Sequence, residues 1–232
     1  PFNGTYDTQL ENSGIDGGNV GNLAVVLKAL MYDDGMTAVG AGVALSTPTG
    51  SDTDVRFGDA TLRFNNEALH VLPYIGFIHA PGDPSWGWND GLFLTGFAQL
   101  DLAASGNTID GIPEFGDPFV LGTLTEQNLL YLDLGAGYWL FRDPYAPRWT
   151  GVAMVGEFHY TTAIQDADLV GNPLTVAIGN PANRFDIVNG TLGLQFLMFE
   201  ASSLRIAGVF PLGDEDHRFF DAEFQVQFNR RF

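Results

Sequence analysis

The chain contains no cysteine, which removes both a disulfide framework and a thiolate metal site from consideration. Cations are scarce: ten lysines and arginines stand against 28 acids, for a formal net charge of −18. That balance argues against nucleic acid or an anionic substrate as a partner. There is also no uninterrupted apolar run of about 18 residues, so no transmembrane helix is expected. Yet 45% of the 232 residues are hydrophobic and 13% aromatic, while only 16% are charged. Apolar residues so abundant and so dispersed suit strands that are apolar at every second position. No linker divides the chain, and residues 1–232 read as one domain. No secretory leader opens it, so for an exported protein a mature chain or a fragment is expected.

The pattern is clearest at the end, over Phe219 to Phe232. Phe220, Ala222, Phe224, Val226 and Phe228 share one parity; Asp221, Glu223, Gln225, Gln227 and Asn229 share the other. Successive strand side chains point to opposite faces, so this segment has one apolar and one strongly polar wall. A membrane-crossing strand of about 9–11 residues needs that division between lipid and lumen.

Eight further period-two segments precede it. Leu23, Val25, Leu27, Ala29 and Met31 oppose Lys28, and Asp33-Asp34-Gly35 closes a tight hairpin. Val39, Ala41, Val43 and Leu45 oppose Gly40, Gly42, Ala44 and Ser46. Leu69 to His79 is ambiguous in parity and contains Pro73. Leu92, Leu94, Gly96, Ala98, Leu100 and Leu102 face away from Thr95, Gln99 and Asp101; Leu130, Leu132, Leu134, Ala136 and Leu140 oppose Asp133, Gly135 and Gly137. Val152, Met154, Phe158 and Tyr160 oppose Glu157, His159 and Thr161; Val188, Leu192, Leu194, Phe196 and Met198 oppose Asn189, Thr191 and Gln195. Leu204, Ile206 and Phe210 mark the eighth strand.

Links alternate in length. Those at 33–35, 80–90, 142–147 and 200–203 are the shorter; 48–67, 105–126 and 165–183 are long, polar and rich in Gly and Asp, and read as loops. Outer-membrane barrels have short periplasmic turns and longer outer loops, so the two sets belong at opposite ends. The link 213–218 is short but falls on the outer side. Counting back from a descending terminal strand, the first identifiable strand also descends, and residues 1–19 read as an outer loop. Even strand numbers then call for one more ascending strand, either lost from the N-terminal side or supplied by residues 2–10.

Trp86, Trp88, Trp139 and Trp149 lie in or beside two of the short links, with Tyr32, Phe141, Tyr145, Phe199 and Phe232 near the same end. This is the placement of an aromatic girdle, against which stands an aromatic cluster in a soluble core. The outer segments hold sixteen of the 28 acids, among them Asp7, Asp52, Asp54, Asp110, Asp117, Asp166 and Asp214, against Arg56, Arg63 and Arg218. Such a rim suits cations, or divalent ions bridging to lipid phosphates, or is a hydrated surface with no specific ligand.

Signals for catalysis are thin. Asp214, Asp216 and His217 share an outer link, as a rim protease would require, but a solvated acidic turn has the same composition. His159 and Thr161 share a parity, yet no histidine has a serine two residues on. There is no phosphate loop and no metal-ligand spacing, so no catalytic residue, metal or cofactor is expected. The polar residues expected to line the lumen are Lys28, Gln99, Asp101, Asp133, Glu157, His159, Gln195, Asp221, Glu223, Gln225, Gln227 and Arg231. Charges held there must find partners or water. Gly40, Gly42, Ala44, Gly135 and Gly137 are expected to leave space for a narrow path.

Gly21-Asn22-Leu23 through Leu27-Lys28, with Gly40 to Leu45 and Pro48-Thr49-Gly50, resembles the Gram-negative outer-membrane barrels described as transporters or meta-pathway phenol-degradation proteins. Asn22 stands where that family usually has aspartate, and about thirty residues carry the likeness. The resemblance implies an envelope protein that moves small hydrophobic or aromatic molecules, with no residue-level substrate site. Phe228 and Phe232 are similar to the C-terminal signal by which such barrels reach the outer-membrane insertion machinery.

The expectation is therefore an all-β, antiparallel, up-and-down transmembrane β-barrel of about ten strands, or twelve, in the bacterial outer membrane. Its partners would be outer-membrane lipid, lipopolysaccharide, the assembly machinery and a small solute, and its function passive passage. The alternatives are a structural or adhesive barrel with acidic loops and no conducting lumen, a rim protease or lipid hydrolase, and a soluble β-sandwich or lipocalin-like binder.

Overall fold

A computed structural model describes residues 21–57, 60–81, 91–143, 145–166, 168–172, 176–179, 184–199, 201–213, 218 and 220–230. Those residues are all-β and contain no helix. Nine strands form one antiparallel sheet: β1 (Leu23–Asp33), β2 (Thr37–Thr47), β5 (His70–His79), β6 (Leu92–Ala103), β9 (Leu129–Arg142), β10 (Trp149–Ala163), β13 (Asp186–Met198), β14 (Ser202–Pro211) and β15 (Glu223–Arg230), in that order. Each is one of the nine period-two segments. Every neighbour pair is antiparallel, so the order is up-and-down throughout.

Register decides which side chains share a face. The pairing Ala41↔Ile75↔Ala98↔Leu132↔Tyr160↔Val188 carries one apolar row across six strands. Below it, Gly96, Leu134, Phe158 and Gly190 form another, extended by Phe210. The opposite face carries Phe97↔Asp133↔His159↔Asn189, and beside it Thr95↔Gly135↔Glu157↔Thr191↔Val209↔Glu223. One face is thus apolar from β1 to β15 and the other mixed and polar. The polar face is the enclosed one. Ala153, Val155, Thr191, Ala207 and Val209 are buried there, whereas Leu134, Leu192, Met154 and Ile75 lie open on the apolar face.

Three bulges change the expected parity, all near the end with the short links. Met31, Leu140 and Thr150 are the extra residues. Each bulge inserts one residue against none on the partner, so the side chains that follow change face. Tyr32 and Phe141 therefore occupy the apolar face in place of Met31 and Leu140. Sequence parity could not show this because the residues on both sides of each step are apolar or aromatic.

Pro73 sits in a central strand. The ladder from β5 to β6 pairs His70 and Val71, skips Leu72 and Pro73, and resumes at Tyr74, as expected of a residue without an N–H. The β1–β2 turn is held by Asp34, whose carboxylate accepts from the backbone N–H of Thr37 (2.6 Å) and Met36 (2.9 Å) and from the Tyr32 hydroxyl (2.9 Å). Those donors, Thr37 first, hold its carboxyl below the usual carboxylate range. Gly35 supplies the positive φ of 83° that the turn requires.

The three long links are not simple loops, which corrects the expectation. They fold into β3 (Thr53–Phe57), β4 (Ala60–Phe64), β7 (Asn107–Pro113), β8 (Phe119–Leu124), β11 (Leu169–Asn172) and β12 (Val176–Gly179). The first four make a second sheet in the order β3-β4-β7-β8, and β11 pairs with β12. Ile109 is fully buried in this outer layer and Val170 nearly so. All three excursions leave from the same end of the large sheet. Side chains tie them down: Asn107 accepts from the N–H groups of Glu67 and Ala68, and the Glu67 carboxylate accepts from the Thr108 hydroxyl at 2.6 Å.

The large sheet is open among the described residues. β1 and β15 each have one hydrogen-bonded neighbour, and both are exposed along their whole length. The closed barrel expected from the sequence is thus not completed by these strands, and residues 1–20, which include the candidate strand 2–10, lie outside the described residues.

Candidate functional site

The enclosed face of β9, β10, β13 and β14 carries a continuous polar chain. Asp133 and His159 are directly opposite one another, and the Asp133 carboxylate accepts from His159 Nδ1 at 2.7 Å. The other ring nitrogen, Nε2, lies 3.1 Å from the Thr191 hydroxyl, within hydrogen-bond distance. Glu157 Oε2 lies 3.8 Å from the same nitrogen. The other Glu157 oxygen accepts from Arg205 Nη1 at 2.6 Å, and Arg205 Nη2 donates to Gln195 at 3.0 Å. Every charged member thus has an opposite charge or a hydrogen bond, as a low-dielectric site demands.

A second unit of the same design lies nearer the excursion end. Asp101 accepts from His70 Nδ1 at 2.7 Å, with Glu126 3.6 Å from His70 Nε2. Beyond it, Asp54 accepts two bonds from Arg63, at 2.8 and 3.0 Å. The Arg63 guanidinium holds the Asp54 carboxyl below its usual range.

The strands place nearly all the polar residues expected inside on this one face. Lys28, Gln99, Asp101, Asp133, Glu157, His159, Gln195, Glu223, Gln225 and Gln227 share it. Asp221 does not: it precedes β15, in a bend, and is exposed. Arg231, Phe232, Trp86, Trp88, Asp214, Asp216 and His217 lie outside the described residues. Phe228 is on the apolar face, opposite Leu204 and 60% exposed. Arg205 was missed by the sequence reading, although its position between Leu204 and Ile206 fixes its parity.

The aromatic residues divide between the faces. Tyr32, Phe141, Trp149 and Phe196 are on the apolar face near the short links, with Trp149 edge-on to Phe196. Trp139 instead points to the enclosed face, tilted against Phe93 at 5.5 Å with the Arg142 guanidinium 5.3 Å from its ring. Tyr74 and Phe97 make a second tilted pair at 5.7 Å on that face.

Three of the glycines there are already filled. A Cβ on Gly42 would fall 2.5 Å from the Tyr74 ring, one on Gly137 2.0 Å from the Phe93 ring, and one on Gly135 2.4 Å from the Thr95 hydroxyl. Gly40 is not filled: a Cβ there would meet only the Ala29 carbonyl oxygen, at 3.5 Å. On the same face a cleft of about 460 Å³ is lined by Glu157, Thr191, Arg205, Glu223, Gln225 and Gln227.

The residues of the Gly-Asn-Leu and Pro-Thr-Gly motifs meet at the excursion end of β1 and β2. Leu23 N–H donates to the Thr49 hydroxyl at 2.7 Å, and Gly50 N–H to the Asn22 side-chain oxygen at 2.9 Å. Asn66 Nδ2 donates to the same Asn22 oxygen at 2.6 Å. Asn22 Nδ2 in turn donates to the Asn66 side-chain oxygen at 3.2 Å.

No protein-family model matches the chain, and comparison with curated proteins and with solved structures returns no match.

Proposed function

We propose that this protein is an outer-membrane β-barrel whose enclosed polar face lines a passage for small molecules. One observation carries the reading: across nine strands the apolar face has no charged residue between its ends, and Leu27, Leu134, Met154, Phe158, Leu192 and Phe224 are open on it. Water-soluble monomers rarely expose a contiguous apolar patch beyond a few hundred Å². Hydrocarbon is the solvent in which such a face has no cost, while backbone groups stay paired within the sheet.

Strand direction sets what closure would require. β1 and β15 run the same way, so an antiparallel seam between them takes one more strand running the other way, for about ten in total. A seam of that kind removes both unpaired edges from lipid. The outward Tyr32, Phe141 and Trp149 then sit at one interface, and the clasp and folded excursions form the outer rim. In keeping with the family resemblance, the partners would be lipid, lipopolysaccharide and the assembly machinery, the last engaging the β15 region that holds Phe228.

Passage is favoured over chemistry at the Asp133–His159–Thr191 relay. Its polarity is that of an acid, base and hydroxyl nucleophile, but Thr191 is buried. The backbone around it is paired on both sides, to β10 and to β14. Single-channel recording of the folded protein in a planar bilayer tests the proposal. Ohmic current is expected; a folded, silent barrel would leave a structural or adhesive role for the acidic outer sheet.

A further inference from the structure

The enclosed face has two unlike halves. β5 and β6 contribute rings, Tyr74 and Phe97 in one pair and Phe93 leaning toward Trp139 in another. β9 to β15 contribute the ionic chain and Glu223. The halves meet where Phe97 stands directly opposite Asp133 on the neighbouring strand. Directly opposed side chains in a sheet lie close enough to act on one ligand.

The charge of that surface is biased. Asp101, Asp133, Glu157 and Glu223 face inward from four strands, against the permanent cations Lys28 and Arg205 among the described residues away from the strand ends. Arg205 and Glu157 engage one another, which leaves Asp101, Asp133 and Glu223 against Lys28. The approach is biased in the same sense: Asp110, Glu114, Asp117 and Glu126 populate the excursion between β6 and β9, which contains no lysine or arginine. Low-dielectric walls lined by one sign of charge concentrate the opposite ion. Ring faces add affinity for an organic cation, because the quadrupole is negative above the ring.

From this we infer that the enclosed face binds small organic cations, its carboxylates holding an ammonium group while the aromatic or alkyl body rests on Phe97 and Tyr74. The inference rests on reading this face as a barrel interior, and it specifies the class of solute.

The probe is benzyltrimethylammonium, titrated calorimetrically into the full chain folded in detergent, with tetramethylammonium and benzenesulfonate as comparisons. The benzyl cation is expected to bind, tetramethylammonium about tenfold more weakly, and the benzyl anion not at all. Phe97→Leu should weaken the benzyl cation roughly five- to tenfold and tetramethylammonium by less, since only the former also rests its ring there. Asp133→Asn, directly opposite Phe97, should weaken both cations alike. Equal binding of benzyl cation and anion, or no binding by protein whose compact, heat-modifiable gel band shows it folded, overturns this inference and leaves the barrel standing. A chain that stays soluble without detergent and gives no such band overturns the barrel and this site with it.

Discussion

An arginine placed on the apolar face separates hydrocarbon from water by magnitude. Leu134 lies near the middle of β9 and is 59% exposed; Leu192 lies at the middle of β13 and is 60% exposed. On a water-facing surface, replacing a leucine so open changes stability by no more than about 0.5 kcal/mol. At a bilayer midplane an arginine costs about 2–4 kcal/mol, falling to roughly 0–1 near the interface. Leu134→Arg and Leu192→Arg should therefore each destabilise the protein in lipid vesicles by about 2–4 kcal/mol. Thr162→Arg, opposite Asp186 at the excursion end, should cost under about 1 kcal/mol. Urea unfolding in vesicles, followed by tryptophan fluorescence, gives all three values. Costs below about 0.5 kcal/mol at both leucines would refute the assignment of this face to lipid.

Other consequences are local. Glu157 and Arg205 are about a quarter exposed (24% and 30%), so a charged hydrogen bond of roughly 1.5–3 kcal/mol is discounted by solvent to a coupling of about 1–2 kcal/mol. A double-mutant cycle of Glu157→Gln and Arg205→Met measures it, and a coupling below about 0.3 kcal/mol contradicts the pairing. Gly137→Ala should cost about 1–3 kcal/mol by overpacking, and Phe93→Leu in the same chain should recover most of it, because the nearest obstructing atoms all belong to the Phe93 ring. No recovery would show that the backbone is the obstacle. Asp34 is held below its usual pKa, so its contribution is present above the unfolded value of about 3.9 and is lost as pH falls through the lower folded value. Asp34→Asn should accordingly be less stable than the parent at neutral pH and converge with it in strong acid; a difference independent of pH counts against the carboxylate as the cause.

Period two alone made nine strands legible, and the apolar stripes of all but β5, whose parity around Pro73 was ambiguous, because a face that meets a single solvent repeats one residue class at every second position. Hairpin chemistry at Asp33-Asp34-Gly35 was legible for the same kind of local reason. The outer sheet was harder to see. Thr53-Asp54-Val55-Arg56-Phe57 and Thr108-Ile109-Asp110 do alternate, but runs so short and so acidic are stable only when stacked against one another, which is a tertiary fact. Asp221 was misplaced because the alternation of the terminal segment continues past the point where its ladder begins.

What the chain determined by itself is a division of side chains: which residues share a wall, and that one wall is apolar throughout. What the tertiary structure decided is who stands beside whom. Register brings Asp133 to His159 and Phe97 to Asp133 across strands, bulges move Tyr32 and Phe141 to the apolar face, and rings settle into the hollows of Gly42 and Gly137. The physical reason is that alternation is a property of one strand, whereas register is a property of two, set by turns, bulges and packing that no single segment contains.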